Sequence, residues 1–276
     1  MKPIAILSET ECYDQMMQEI LRKNGVTAAD SPSTIALKLQ SMSSVKTWLD
    51  KFITNDPVML DTKEKCAKLA PLMDTVLIVG PTGTGKEILA RALGGSRETF
   101  LPLNCAALND GTVESELFGH RKGSFTGASD DYKGVLEAAA DGTVYLDEID
   151  KMPVRIQSKL LRAIQEHEVR PVGSTKYIEI DCRFVCSSKA SLEVLLDKHG
   201  FLEDLYARIS TFELLTTPLT SRWDDVELIL KAMLVAIGKA TEDEAVTLPE
   251  EWRNRVERFN VRGLESYVAH KRVFNI

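Results

Sequence analysis

The run Thr75-Val76-Leu77-Ile78-Val79 passes directly into Gly80-Pro81-Thr82-Gly83-Thr84-Gly85-Lys86, and this junction constrains the chain more than any other feature. A short apolar, β-branched run that stops at glycine reads as a strand buried on both faces, as in a parallel sheet. The glycines let the backbone fold tightly, so that successive N–H groups point at one anion. A helix expected over Glu87 to Leu93, stopping at Gly94-Gly95, adds its positive N-terminal end. Lys86 supplies a point charge for outer phosphates. Strand, glycine-rich loop and helix in that order is the context that raises Gly-x-x-x-x-Gly-Lys above a chance glycine-rich turn. Position 87 is Glu, so the hydroxyl that usually binds magnesium there is missing.

More strands follow. Thr143-Val144-Tyr145-Leu146 is a second buried run, and Arg183 to Cys186 and Thr211 to Leu215 are further candidates. Between them, Val154 to Glu168 reads as a helix with Ile156, Leu160, Leu161 and Ile164 on one face. Strands alternating with helices predict an α/β fold with a parallel sheet covered on both sides. Asp147-Glu148 ends the second strand. An acid there, facing the phosphate loop, can hold magnesium, and its neighbour can orient and polarise an attacking water. Alone the pair is weak, since Asp-Glu at a strand end is often a solvated turn; beside a phosphate loop the functional reading leads.

After Pro218 strand signals fade. Asp224 to Gly238 reads as one helix, Thr247-Leu248-Pro249-Glu250 as a capping box opening another, and Val261 to Phe274 as a last one. Ahead of the sheet, Ser31-Pro32 resembles a helix start, and Ile35, Leu39, Met42, Val45, Leu49 and Phe52 recur at helical spacing. Asn55-Asp56-Pro57 is a break. The expected organisation is a helical leader over 1–56, an α/β nucleotide-binding part over 57–220, and an α-helical lid over 221–276.

The 276 residues carry a formal net charge of -7, which argues against broad binding to a nucleic-acid backbone. No apolar run approaches the roughly 20 residues that span a bilayer. Met1 to Leu7 is too short in its apolar part for a signal peptide, so a cytoplasmic protein is expected. Cys12, Cys66, Cys105, Cys182 and Cys186 show no CxxC pair and read as reduced, mostly buried thiols.

At this point the residues match a family. Gly80 to Glu87 resembles the phosphate loop of bacterial enhancer-binding proteins, the AAA+ activators of sigma-54 RNA polymerase, in which glutamate after the lysine is usual. Asn104-Cys105-Ala106-Ala107-Leu108 is similar to the family's second-strand motif. Glu114 to His120 follows, then Gly123-Ser124-Phe125-Thr126-Gly127-Ala128, which resembles the signature loop GAFTGA with Ser124 in place of alanine. Leu146 to Ile149, Gln157 to Arg162, Glu168 to Gly173, Glu203 to Arg208 and Asn260 to Arg262 continue the match in order.

The resemblance implies an AAA+ P-loop NTPase fold with a five-stranded parallel sheet and a helical lid. It implies ATP and Mg2+ as ligands, a ring of subunits, usually a hexamer, and remodelling of the sigma-54 closed promoter complex. Carried over residue by residue, Gly80, Pro81, Thr82, Gly83, Thr84, Gly85, Lys86 and Glu87 hold the nucleotide, Asp147 the metal, and Glu148 the water. Asn104 matches the amide that restrains the catalytic glutamate, Arg208 a finger reaching the neighbouring subunit's ATP, and Arg262 a lid arginine that senses nucleotide. Gly123, Ser124, Phe125, Thr126, Gly127 and Ala128 form the loop that contacts sigma-54.

The chain departs from the family at three places. Leu202 stands where a first finger arginine is usual. Lys189, after Ser187-Ser188, stands where a polar sensor amide is usual. The segment before Asn260 lacks a Pro-Gly turn, and Gly263 replaces a glutamate. These departures motivate an alternative: a weakly hydrolysing protein that binds sigma-54 or host activators and interferes with them. No helix-turn-helix segment or receiver-like domain is recognisable, and the expectation is a natural, diverged form of the central module.

Overall fold

The computed structural model describes residues 43–95, 99–107, 112–189, 191, 194–196 and 200–274. The helix start at Ser31, Cys12 and most of the anticipated leader lie outside the described residues. Residues 43–50 are helical, and Leu49 and Phe52 are buried in one cluster with Met59 and Leu89. This end of the leader is thus packed into the α/β body.

The strands are β1 (Val76–Val79), β2 (Phe100–Asn104), β3 (Thr143–Asp147), β4 (Glu168–Val169), β5 (Ile178–Glu179), β6 (Arg183–Ser188) and β7 (Phe212–Leu215). The helices are α1 (Pro57–Leu69), α2 (Lys86–Gly94), α3 (Val113–Phe118), α4 (Val135–Ala138), α5 (Val154–Glu166), α6 (Glu203–Ile209), α7 (Asp224–Ala236), α8 (Glu250–Phe259) and α9 (Val261–Phe274). Five strands form one parallel sheet in the order β2-β3-β6-β1-β7. Strand alternation decides which side each residue serves. Val76 and Ile78 pack with Tyr145, Val185 and Leu214 against α1 and α2. Leu77 points the other way, with Val144, Leu146, Phe184 and Cys186, towards α3, α5 and α6. Both faces are covered, which is why these runs read as continuously apolar.

Local chemistry sets the helix ends. Asp56 caps α1 by accepting from the Met59 N–H at 3.0 Å, with Pro57 at the first helical position. The α5 helix stops two residues earlier than its apolar pattern suggests, because His167 takes φ 54° and turns the chain into β4. The Thr247–Glu250 box does not cap α8: the helix opens at Glu250, Pro249 is its N-cap, and no side chain caps it. Pro249 itself is extended, at ψ 143°, so the helix starts after it and Thr247 is left too far out to reach.

Arg183 opens β6 and is 1% exposed. Its guanidinium donates to the carbonyls of Leu69 (3.0 Å), Ala70 (3.0 Å), Leu93 (2.6 Å) and Asp74 (3.2 Å). A cation therefore sits at the C-terminal ends of α1 and α2, where carbonyls run out of intrahelical donors and the helix dipoles are negative.

The C-terminal helices have their own core, built from Leu219, Val226, Leu230, Leu234, Val256 and Leu264. Asp225 ties it to the body. Its carboxylate accepts from the Thr54 hydroxyl (2.5 Å), the Asn55 N–H (2.8 Å) and Arg222 Nη1 (2.9 Å). Asn260 joins α8 to α9 at φ 55°, a conformation in which a non-glycine residue is strained. Its side chain compensates: Oδ1 accepts from the Leu219 N–H at 2.7 Å and Nδ2 donates to the Thr82 carbonyl at 3.0 Å. Gly263 is equally specific, since a Cβ there would lie 2.6 Å from the Arg255 carbonyl oxygen. Among the described residues no helix is long and apolar enough to cross a membrane.

Candidate active site

The sheet order brings three strand ends side by side. Val79 pairs with Ser188, Leu146 with Cys186, and Asn104 with Asp147, so the carboxyl ends of β1, β6 and β3 share one edge. Ligands of open α/β sheets bind at such edges.

The phosphate loop springs from β1. The Gly80 N–H still donates to the Ser188 carbonyl at 3.1 Å, after which the chain leaves the sheet. Thr84 Oγ1 lies 2.8 Å from the Pro81 carbonyl oxygen and 2.7 Å from Thr216 Oγ1, which ties the loop to the end of β7. Gly83 takes φ 76°, and a Cβ there would stand 2.3 Å from the Phe259 carbonyl oxygen. The loop can therefore be this close to the lid only as glycine. The Val261 N–H completes the contact by donating to the Gly83 carbonyl at 3.0 Å.

Lys86 begins α2 and donates to the carbonyls of Gly80 (2.6 Å) and Pro81 (2.8 Å). Burial pushes its ammonium down, to about 8; Asp147 opposes that shift and Lys189 adds to it. Anionic phosphates would reverse the shift by stabilising the charged form. Glu87 is exposed and pairs with Arg91 one turn on, 2.9 Å away. An acid in the first turn suits the positive end of the helix, and Glu87 also borders the cleft.

Asp147 closes β3. Its Oδ1 accepts from the Tyr145 hydroxyl (3.0 Å), the Glu148 N–H (3.0 Å) and the Ser187 hydroxyl. Burial pushes the Tyr145 phenol up, so it stays a donor. Asp147 Oδ2 has no partner among the described residues. One carboxylate oxygen fixed and the other open suits magnesium, which takes one or two protein carboxylates beside phosphates and waters. Among the described residues no group of three His, Cys, Asp or Glu gathers to form an all-protein metal cage.

Glu148 adopts φ 53° and ψ 47°, a left-handed conformation uncommon outside glycine and frequent at functional positions. Its Oε1 lies 2.6 Å from Lys189 Nζ. This partner was not anticipated: Lys189 stood out only as a misfit to the family pattern. Asn104, expected to restrain Glu148, pairs with Asp147 across the sheet; its Oδ1 accepts from the Ala106 N–H at 2.8 Å, an Asx turn that leaves Nδ2 as the donor a carboxylate would use.

One cleft is thus lined by Thr82, Gly83, Gly85, Lys86, Glu87, Asp147, Glu148 and Arg262, with Tyr145 and Lys189 added. Arg208 lies outside it, in the last turn of α6, exposed and without an ion pair among the described residues. Leu202 packs against the main core while its N–H donates to Gln157 Oε1 at 2.8 Å. An arginine at that place would lose the packing.

The Gly123–Ala128 loop is a separate feature. The Gly123 N–H donates to the Ala128 carbonyl (2.8 Å) and the Ala128 N–H to that of Phe125 (3.0 Å). Phe125 is 45% exposed and makes an edge-to-face contact with His120, at 4.9 Å between ring centres. Ser124 leans on Gly173, and its hydroxyl is buried without a partner.

This arrangement, a parallel five-stranded sheet with a phosphate loop, an acid pair and a helical lid, defines an AAA+ domain. The chain belongs to the Sigma-54 interaction domain family, which it matches over residues 52–215. It is 38% identical over 213 residues to the regulatory protein AtoC of Escherichia coli (strain K12), covering 76% of this chain and 46% of AtoC. It is 39% identical over 207 residues to the Nif-specific regulatory protein of Azospirillum lipoferum, covering 74% of this chain and 33% of that protein. The chain thus spans less than half the length of these curated relatives. Crystalline NtrX from Brucella abortus in complex with ATP shares the fold, with a TM-score of 0.69 and 24% identity over 95% of this chain and 64% of that one.

Proposed function

We propose that the chain hydrolyses ATP between subunits of a ring and uses the energy to remodel the sigma-54 closed promoter complex in the cytoplasm. The observation that carries this reading is the convergence of Lys86, Asp147 and Glu148 in one cleft under Arg262. Lys86 and the loop amides from Gly80 to Gly85 hold the β and γ phosphates. Asp147 holds magnesium, which when bound neutralises phosphate charge. Glu148 orients the water and takes up its proton. Arg262 reads the nucleotide from the lid, while Asn104 borders the acid pair. Arg208, exposed and without an ion pair among the described residues, reaches the ATP of a neighbouring subunit and stabilises charge on the transferring phosphoryl group.

Half-exposed Phe125, held at the tip of a hydrogen-bonded loop with Thr126, supplies the contact to sigma-54. The separate core of the C-terminal helices supports their reading as a lid over 221–276, moving against the α/β part over 57–220. To test the proposal, the chain, magnesium and an ATP transition-state analogue are added to a sigma-54 closed complex on a pre-melted promoter. A shift in the mobility of the complex is expected, and Thr126→Ala is expected to abolish it. No shift with the unaltered chain contradicts the proposal.

A second reading is favoured by a specific observation. Glu148 is engaged by Lys189, and the first finger position is given over to packing at Leu202. Both features suit slow turnover and a chain that occupies sigma-54 or joins another activator's ring. Phosphate release at a normal rate for the family, abolished by Glu148→Gln, argues against it.

A further inference from the structure

The strand order places β6 between β3, which ends in the acid pair, and β1, which launches the phosphate loop. Lys189 is the first residue after β6, so its side chain starts between Glu148 and the loop. Its backbone is anchored, with the N–H donating to Asp150 Oδ1 at 3.4 Å. Its four-carbon stem is free to swing. The ammonium lies 2.6 Å from Glu148 Oε1, with the glutamate side chain 17% and the lysine side chain 36% exposed. A pair this shielded is stronger than an ordinary surface ion pair. The same Lys189 lines the cleft with Lys86, Gly83 and Arg262, where the outer phosphates of a nucleotide would lie.

One flexible cation therefore serves two anions. The carboxylate carries a single charge. The terminal phosphate of ATP carries more charge and more acceptor oxygens, so it competes well for an ammonium. While Lys189 is on the carboxylate, that oxygen is not available to orient water. Asn104 Oδ1 accepts from the Ala106 N–H, and among the described residues Lys189 is the cation paired with this carboxylate.

We propose that Lys189 is a nucleotide-gated latch on Glu148: it pairs with the carboxylate and leaves it for the γ-phosphate when ATP enters, releasing the water-activating group. ADP has no third phosphate and leaves the latch closed. Lys189 is thus a positioning residue for Glu148 that discriminates triphosphate from diphosphate. The inference rests on the reading of the cleft as an ATP site.

The test measures binding of ADP and of the non-hydrolysable β,γ-imido analogue of ATP to the full chain. Lys189→Met is expected to weaken the analogue about tenfold, the loss of one charged hydrogen bond, and ADP by less than about twofold. Lys189→Arg, which keeps a cation, is expected to restore most of the difference. Glu148→Gln frees the lysine, so it is expected to tighten the analogue more in the unaltered background than in combination with Lys189→Met. Equal losses for both nucleotides overturn the latch, as does no loss, or a Glu148→Gln gain that is the same with and without Lys189→Met. Lys189→Gln serves as a second neutral variant should Lys189→Met fail to fold. An unaltered chain that binds neither nucleotide sinks the ATP-site reading itself. Binding of both that Lys86→Ala abolishes leaves that reading standing, so that the latch alone is at risk.

Discussion

At the scale of single residues, one of the strained positions falls in the cleft. Glu148 holds φ 53° beside an acid whose Oδ1 already takes three donors. A left-handed non-glycine residue costs on the order of 1 kcal/mol, and here the Lys189 pair and the Ser187 contact hold it in place. Ser124 is a different kind of misfit. Its hydroxyl is buried with no partner, so its desolvation is uncompensated. Ser124→Ala, which writes the family's own loop sequence, is expected to raise stability by about 1 kcal/mol. A urea midpoint that falls on this substitution contradicts the account. The acid pair and Lys86 were legible in the sequence because each is set by its immediate neighbours. The Glu148–Lys189 contact was not, since it depends on β3 and β6 becoming neighbours in the sheet.

At the scale of elements, a buried cation organises two helices. Arg183 satisfies carbonyls at the ends of α1 and α2 while opening the central strand β6. Arg183→Met keeps much of the volume but takes the guanidinium donors from Ala70 and Leu93, while Leu69 still accepts from the Leu72 N–H at 3.0 Å. It is expected to lower stability by about 3 kcal/mol, read as a fall in the urea midpoint. An unchanged midpoint would show that water or neighbours satisfy the carbonyls instead. Buried strands β1, β3 and β6 were legible from apolar, β-branched runs, and edge strand β7, mostly exposed, from its shorter apolar run. Edge strand β2 carries Pro102 and is only partly buried, so its pattern is weak and the family motif at Asn104 located it. The two-residue strands β4 and β5 were not legible, because ribbons that short leave no periodicity. Free Cys66 and Cys105 behave as the sequence suggested: burial pushes both thiols up to about 12, which keeps them inert.

At the scale of the whole molecule, the lid is wired to both ends of the α/β body. Asp225 receives Thr54 and Asn55 from the chain ahead of α1, and Asn260 and Val261 touch the phosphate loop itself. Burial pushes the Asp225 carboxyl up, but the Asn55 N–H, the Thr54 hydroxyl and Arg222 outweigh it, leaving it below the usual aspartate value. A folded pKa below the unfolded one means the stabilisation is complete above the ordinary aspartate range. It is lost as the pH falls through the folded value. Asp225→Ala strands Arg222 and is expected to cost about 3 kcal/mol near neutrality. The gap in Tm between variant and unaltered chain should close in strong acid; a gap that persists there assigns the loss to packing.

The account as a whole stands on phosphate loop and acid pair acting on one nucleotide. Phosphate release at saturating ATP and magnesium, followed as protein concentration is raised, tests this most directly. Turnover per subunit is expected to climb with concentration as Arg208 meets a neighbour's site. Glu148→Gln is expected to reduce it by at least about a hundredfold without loss of ATP binding. Turnover that ignores concentration, or survives Glu148→Gln, contradicts the account.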